Sequence, residues 1–240
     1  MDRNTQQKSH DLEVLYAQLE KDAPHLPLAK TATDIVPGEG PSSAEVLFIG
    51  EAPGYFESVE RRPFVGKSGQ LFRKILETES GIKPEQVYIS NIVKVRPPDN
   101  RDPSIEELAA YKKYLDAEIE ILKPELIVTL GRFSMGKFLP SAKISQVHGK
   151  LHKVKWDGFT SFVLPMYHPA AALRSTATKQ AFTTDFKKIP KIIAWIKEQK
   201  AVAAKQKPEP EPELTPLQKE FAKSDKTLDA LQASVIEHLF

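Results

Sequence analysis

The chain has 240 residues, 40% of them hydrophobic and 28% charged, enough for one sizeable core with additional tails. It contains no cysteine, which removes disulfides, thiolate nucleophiles and every cysteine-held metal or cluster site. The formal net charge is only +2, yet residues 131–200 hold 13 Lys and Arg against 3 Asp and Glu, a balance of +10 that suits a polyanion or a solvated, lysine-rich helix face. No apolar run reaches the length of a membrane span and the opening MDRNTQQKSH has no signal-peptide pattern, so the expectation is a cytoplasmic monomer with no membrane partner.

In chain order, residues 10–21 place Leu12, Leu15, Tyr16 and Leu19 on one stripe and predict an amphipathic helix that ends before Pro24 and Pro27. From Ala44 onward strand-like runs alternate with helical periodicities. EVLFIG is followed by SGQLFRKILETES, VYISNIVKV by SIEELAAYKKYLDAEIEIL, ELIVTLG by FSMGKFL, and SFVLPMYHP by FTTDFKKIPKIIAWIKEQK. This alternation predicts an α/β fold, a three-layer α/β/α arrangement around a central parallel four-stranded sheet. Ser104 followed by Glu107 matches a capping box, and KPE recurs just before two of the strands. The expected organisation is an N-terminal helix and lead-in over 1–42, a core domain over 43–199, a Pro/Glu linker over 200–214 and an amphipathic helical tail over 215–240. The tail begins with Thr215 as N-cap and Pro216 in the first turn, and would dock on its own domain or on a protein partner.

In an open parallel sheet, ligands bind beyond the carboxyl ends of the strands. The residues that follow the predicted strands are therefore the candidates: Glu51 after VLFIG, Asn91 within VYISNIVKV, Arg132 after LIVTLG, and His168 after FVLPMY. A carboxylate on a Gly/Pro turn at a strand end is costly unless it is paired, hydrated or useful. His148 and His152 are four apart, but Gly149 and the strand-like surroundings do not favour a helical metal pair, and both are read as structural.

The segments GEAPG, RRPFVGKSGQLF, VYISNIVKVRPPDNRDPSIEE, IVTLG and YHPAAALR resemble, in order and spacing, the uracil-DNA glycosylase superfamily, and most resemble its family-four bacterial and archaeal branch. The resemblance covers about residues 22–190. It implies the glycosylase fold, DNA as partner, and hydrolysis of the N-glycosidic bond of deoxyuridine in base-excision repair. One departure is marked. Members of that branch usually hold an iron-sulfur cluster through four cysteines, and alignment on PLA and RPP places Ala23, Leu26, Val95 and Tyr111 at those positions. Apolar packing would then take over the cluster's structural role, and no cofactor is expected.

The resemblance also implies roles that fit the chemistry of each side chain. Asn91 would match O4 and N3–H of uracil, and Phe64 would stack on a base flipped from the helix. His168 would stabilise negative charge on O2 as the bond breaks, and Glu51 would meet the developing positive charge of the sugar and orient water. Ala52 and Gly54 would shape the uracil site, with Pro53 and Gly54 allowing close backbone approach. In the loop HPAAALR, Ala170 would face DNA, Leu173 would act as an apolar wedge and Arg174 would meet phosphate or groove. Lys67, Lys94, Arg96 and Arg101 are candidates for the phosphate path. Two alternatives stay open, a non-catalytic DNA-binding or repair-assembly module on the same fold, and a glycosylase for another deaminated base. Covalent trapping of the base, which in a related branch uses a histidine after PFVG, is disfavoured because no histidine lies between Gly66 and Gly81.

Overall fold

In the computed structural model, the described residues are 3–156 and 159–205. Five strands form one sheet: β1 (Val46–Gly50), β2 (Tyr88–Asn91), β3 (Leu126–Leu130), β4 (His152–Trp156) and β5 (Phe159–Met166), in the order β2-β1-β3-β5-β4. β2, β1, β3 and β5 are mutually parallel, as the alternation predicts. The four predicted parallel strands are joined by a fifth, β4, which pairs antiparallel with β5 at the edge. Its exposed Lys153 and Lys155 suit an edge that must not recruit a further strand.

The helices are α1 (Arg3–Asp22), α2 (Tyr55–Glu60), α3 (Lys67–Ser80), α4 (Ile105–Leu122), α5 (Arg132–Phe138), α6 (Ile144–Val147), α7 (Pro169–Arg174), α8 (Thr176–Phe186) and α9 (Ile189–Lys205). The first helix thus begins seven residues before the predicted span of 10–21 does. Ser104 caps α4 as expected, accepting from the Glu107 amide while the Glu107 carboxylate accepts from the Ser104 amide at 2.7 Å. The KPE segments at 83–85 and 123–125 precede β2 and β3, the first as a single 3-10 turn over Pro84–Gln86.

Burial on both faces explains why the parallel strands read as continuous apolar runs. Along β1, Leu47 and Ile49 pack with Tyr111, Leu115 and Ile119 of α4 and with Leu12 and Leu19 of α1 on one face. Val46 and Phe48 pack with Phe72 and Leu76 of α3 and with Phe182 and Phe186 of α8 on the other. The period-two alternation of a strand divides one short run between two cores and so builds the three layers.

VYISNIVKV is strand only to Asn91. Beyond it the amides of Ile92 and Val93 bond the carbonyls of Gly50 and Glu51, so this segment follows the turn after β1. Lys94 then points inward. It is fully buried in an ion pair with Oε2 of Glu118 and bonded also to Ser90, whose hydroxyl donates to that same oxygen at 2.9 Å. Tyr16 donates to the same carboxylate. Burial pushes the Lys94 ammonium pKa down and that of the Glu118 carboxyl up. Lys94 is therefore removed from the phosphate path, because it has no access to solvent.

The described residues up to Ile196 form one compact unit. Helix α9 continues through the first residues of the segment read as linker; the remainder of that segment and the tail over 215–240 lie outside the described residues.

Candidate active site

Strand order changes direction between β1 and β3, so the carboxyl ends of the four parallel strands frame a crevice at that switch point. A cavity of about 560 Å³ opens there. It is lined by Glu51, Ala52, Pro53 and Gly54 after β1, Asn91 at the end of β2, Gly131 and Arg132 after β3, and His168, Ala170 and Arg174 after β5, with Phe64 from the loop before α3. Of the ten residues that the resemblance assigns to catalysis, uracil binding or the DNA-facing loops, nine converge on it, and the further candidates Arg132 and Arg101 line it too. Leu173 does not line the cavity; it projects from α7 half-exposed, next to the wall residue Arg174.

The floor is a close approach of two side chains to a strand end. Asn91 is buried, and its Oδ1 has no donor among the described residues. A Cβ at Gly50 would lie 2.3 Å from that oxygen and 2.5 Å from Cζ of Phe64, so only glycine lets the amide and the ring meet over the end of β1. Phe64 itself adopts φ 56°, a left-handed conformation that costs energy for a bulky residue. The surrounding contacts hold it there. Arg73 donates to the carbonyls of Phe64 at 3.0 Å and Pro63 at 2.9 Å, and the buried Glu57 accepts from the amides of Val65 at 3.0 Å and Gly66 at 2.8 Å. A Cβ at Gly69 would fall 2.1 Å from the Phe64 carbonyl carbon, so α3 can pack against this turn only with glycine there.

His168 is the N-cap of α7. Its Nδ1 accepts from the Ala170 amide at 3.2 Å, and its ring lies 6.0 Å from that of Phe64. Burial, assisted by the Arg174 charge and opposed by Glu57, lowers its pKa to about 4. The imidazole is then neutral near pH 7, and because Nδ1 accepts, the proton sits on Nε2. Glu51 behaves oppositely. Desolvation, with the nearby Asp102 charge, raises its carboxyl to about 7 against the lowering effect of Arg132. Asp102 and Arg132 form an ion pair at the rim.

Glu57, Asp102 and Tyr167 also line the cavity and were not singled out from sequence. Glu57 stands six residues after Glu51, between the GEAPG and RRPFVGKSGQLF segments, and its partners are amides across a loop. Of the 13 basic residues between 131 and 200, only Arg132 and Arg174 line the cavity. Lys187, Lys188 and Lys191 instead rim a separate groove of about 540 Å³ with Leu151, Ile192 and Trp195. The two histidines read as structural do not act as a pair. His148 bonds Asp185 at 2.7 Å and packs on Tyr167, whereas His152 lies on β4.

The four positions aligned with cluster cysteines meet in one apolar cluster. Ala23 and Tyr111 are fully buried, Val95 is buried, and Leu26 packs against them. The Tyr111 hydroxyl donates to the Pro27 carbonyl at 2.7 Å, satisfying the one polar atom that this packing introduces. These residues offer no thiolate and do not fit an iron-sulfur cluster.

The chain is 45% identical over 164 residues to a type-4 uracil-DNA glycosylase of Sulfurisphaera tokodaii, covering 65% of this chain and 74% of that protein. It is 40% identical over 172 residues to one of Saccharolobus solfataricus, covering 70% and 80%. A type-5 uracil-DNA glycosylase of Thermus thermophilus is 35% identical over 119 residues, covering 43% of this chain and 53% of its own. Residues 37–189 match the family model of the uracil DNA glycosylase superfamily, and with the strand-end cavity this match shows that the chain belongs to that superfamily.

Proposed function

We propose that the chain is a uracil-DNA glycosylase, hydrolysing the N-glycosidic bond of deoxyuridine in DNA to release uracil and leave an abasic site, the opening step of base-excision repair. The observation that carries this reading is the buried, unpartnered Asn91 Oδ1 in the same cavity as the neutral His168 imidazole. An orphaned buried acceptor is costly, and the N3–H of uracil would satisfy it. The Asn91 amide N–H would donate to O4. Cytosine carries an acceptor at N3 and a donor at C4, so both pairings would fail and buried groups would be left unmatched.

The nucleotide has to leave the stack to reach this site, with Phe64 supplying a face for the base and the half-exposed Leu173 a wedge for the vacated position. As the bond from C1′ to N1 breaks, its electron pair passes to the uracil ring, and charge gathering on O2 meets the His168 Nε2–H. The sugar takes on oxocarbenium character next to the Glu51 carboxylate. Water then adds to C1′, its proton passes to Glu51, and the uracil anion is released and protonated by solvent. Glu51 must be ionised for this and His168 must be uncharged; both states coexist near neutral pH, given a Glu51 value of about 7 and a His168 value of about 4.

The test is release of free uracil from uracil-containing oligonucleotides by the full chain, with Asn91→Ala and Glu51→Gln alongside. Release that falls at least tenfold in both variants supports the reading. A folded protein that binds DNA and releases no uracil would favour a non-catalytic DNA-binding module, and release of a different deaminated base alone would redirect the substrate assignment.

A further inference from the structure

The loop after β1 leaves the cavity and immediately exposes two aromatic rings. Gly54 is wall; Tyr55 and Phe56, the next two residues, are 56% and 53% exposed. Their ring centroids are 5.4 Å apart and nearly perpendicular. One turn further along α2, Val59 is also exposed. Single exposed apolar residues need no explanation, but three together beside a cavity mark a contact surface.

A second element connects this patch to the cavity and to charge. The Arg96 guanidinium lies 5.3 Å from the Tyr55 ring centroid, and its Nε donates to Oδ1 of the cavity-wall residue Asn100 at 2.9 Å. That bond uses Nε alone, so the terminal NH2 groups have no hydrogen-bond partner among the described residues. Arg96 is thus held in place by the cavity wall, lies over an exposed ring, and presents donors of the kind that meet phosphate.

We propose that Tyr55 and Phe56 form a stacking platform for an unpaired nucleobase adjoining the nucleotide held in the cavity, with Arg96 contacting the intervening phosphate. The inference rests on the glycosylase reading above and adds to it a preference for single-stranded substrate. In a duplex the neighbours of an extruded nucleotide stay paired within the helix and the gap between them is the place assigned to the Leu173 wedge, so neither base is free to reach the platform. In a single strand those faces are free, and the platform is continuous with the cavity that would hold the uracil.

Stacking of one base on an aromatic ring contributes about 1–3 kcal/mol, which corresponds to a roughly 5- to 150-fold change. Uracil release by the full chain is measured on single-stranded and duplex oligonucleotides of one sequence, for the parent, Tyr55→Ala, Tyr55→Phe and Tyr55→Ala/Phe56→Ala. The expected result is a single-stranded to duplex ratio of kcat/KM that falls about tenfold or more in the double variant and is kept by Tyr55→Phe. In parallel, 2-aminopurine placed next to uracil should be quenched on binding to the parent and not to the double variant. Arg96→Gln should reduce the salt slope of single-strand affinity by about 0.7. An unchanged ratio with unchanged quenching would overturn the platform and leave the patch to a protein partner. If the parent releases no uracil at all, the glycosylase reading fails, while the aminopurine signal still decides whether the rings stack on DNA.

Discussion

The pH dependence of uracil release is the most direct test of the electrostatics of the cavity. Glu51 loses hydration at the end of β1 and faces the Asp102 charge, which together move its carboxyl to about 7 in spite of Arg132. Only the ionised carboxylate can stabilise an oxocarbenium ion or accept a proton from water. With that value, roughly nine tenths of the protein is competent at pH 8 and roughly one tenth at pH 6, so kcat/KM should fall about tenfold between them. A glutamate at its ordinary value would stay almost fully ionised over the same range, giving a flat profile. His168 titrates near 4 and adds no limb above about pH 5. Because kcat/KM reports the free protein, it should be followed at subsaturating oligonucleotide, with protein integrity checked by circular dichroism at each pH. Asp102→Asn removes a charge that disfavours ionisation and should move the midpoint down; Arg132→Gln removes one that favours it and should move the midpoint up. A flat parent profile from pH 8 to 6, or shifts of the two variants in the same direction, would refute this account of Glu51.

Gly50→Ala places a methyl group 2.3 Å from Asn91 Oδ1 and 2.5 Å from the Phe64 ring, and should lower kcat/KM at least tenfold while costing about 1–3 kcal/mol in denaturant unfolding, the usual range for overpacking. Tyr111→Phe removes the hydrogen bond to the Pro27 carbonyl and should cost about 1 kcal/mol by the same measurement, whereas Tyr111→Ala, which also opens a cavity where the family's cluster would stand, should cost about 3–5 kcal/mol. Lys94→Met alone leaves the Glu118 charge buried without its partner and should cost about 3–5 kcal/mol, while Lys94→Met combined with Glu118→Leu should recover most of that loss; a double variant no more stable than the single one would mean that the ion pair itself carries the stability.

The parallel part of the fold was legible because it is encoded locally. Apolar runs such as VLFIG and LIVTL are bounded by turn formers, and Ser104 with Glu107 marks the start of α4. The residues that follow those runs could be singled out for the same reason, since parallel strands must bring their carboxyl ends to one edge. The antiparallel β4 is absent from the predicted strands although KVKW alternates basic and apolar residues with the period of two and Asp157 with Gly158 forms a dipeptide that favours a tight hairpin; it lacks the continuous apolar run that marks the parallel strands. Lys94 shows the opposite limit. Its charge suggested a DNA contact, and only the packing of α4 over β2 turned it inward to Glu118. Glu57 holds the strained Phe64 loop through two amides that no spacing rule connects to it, and Asp102 and Arg132, 30 residues apart, act on the Glu51 carboxyl only once folded. The sequence alone determined which chemical groups the chain carries and where the strands that bear them end. The tertiary structure decided which of those groups lose water and which charges they face, because desolvation and Coulomb interaction depend on distances between residues remote in the chain.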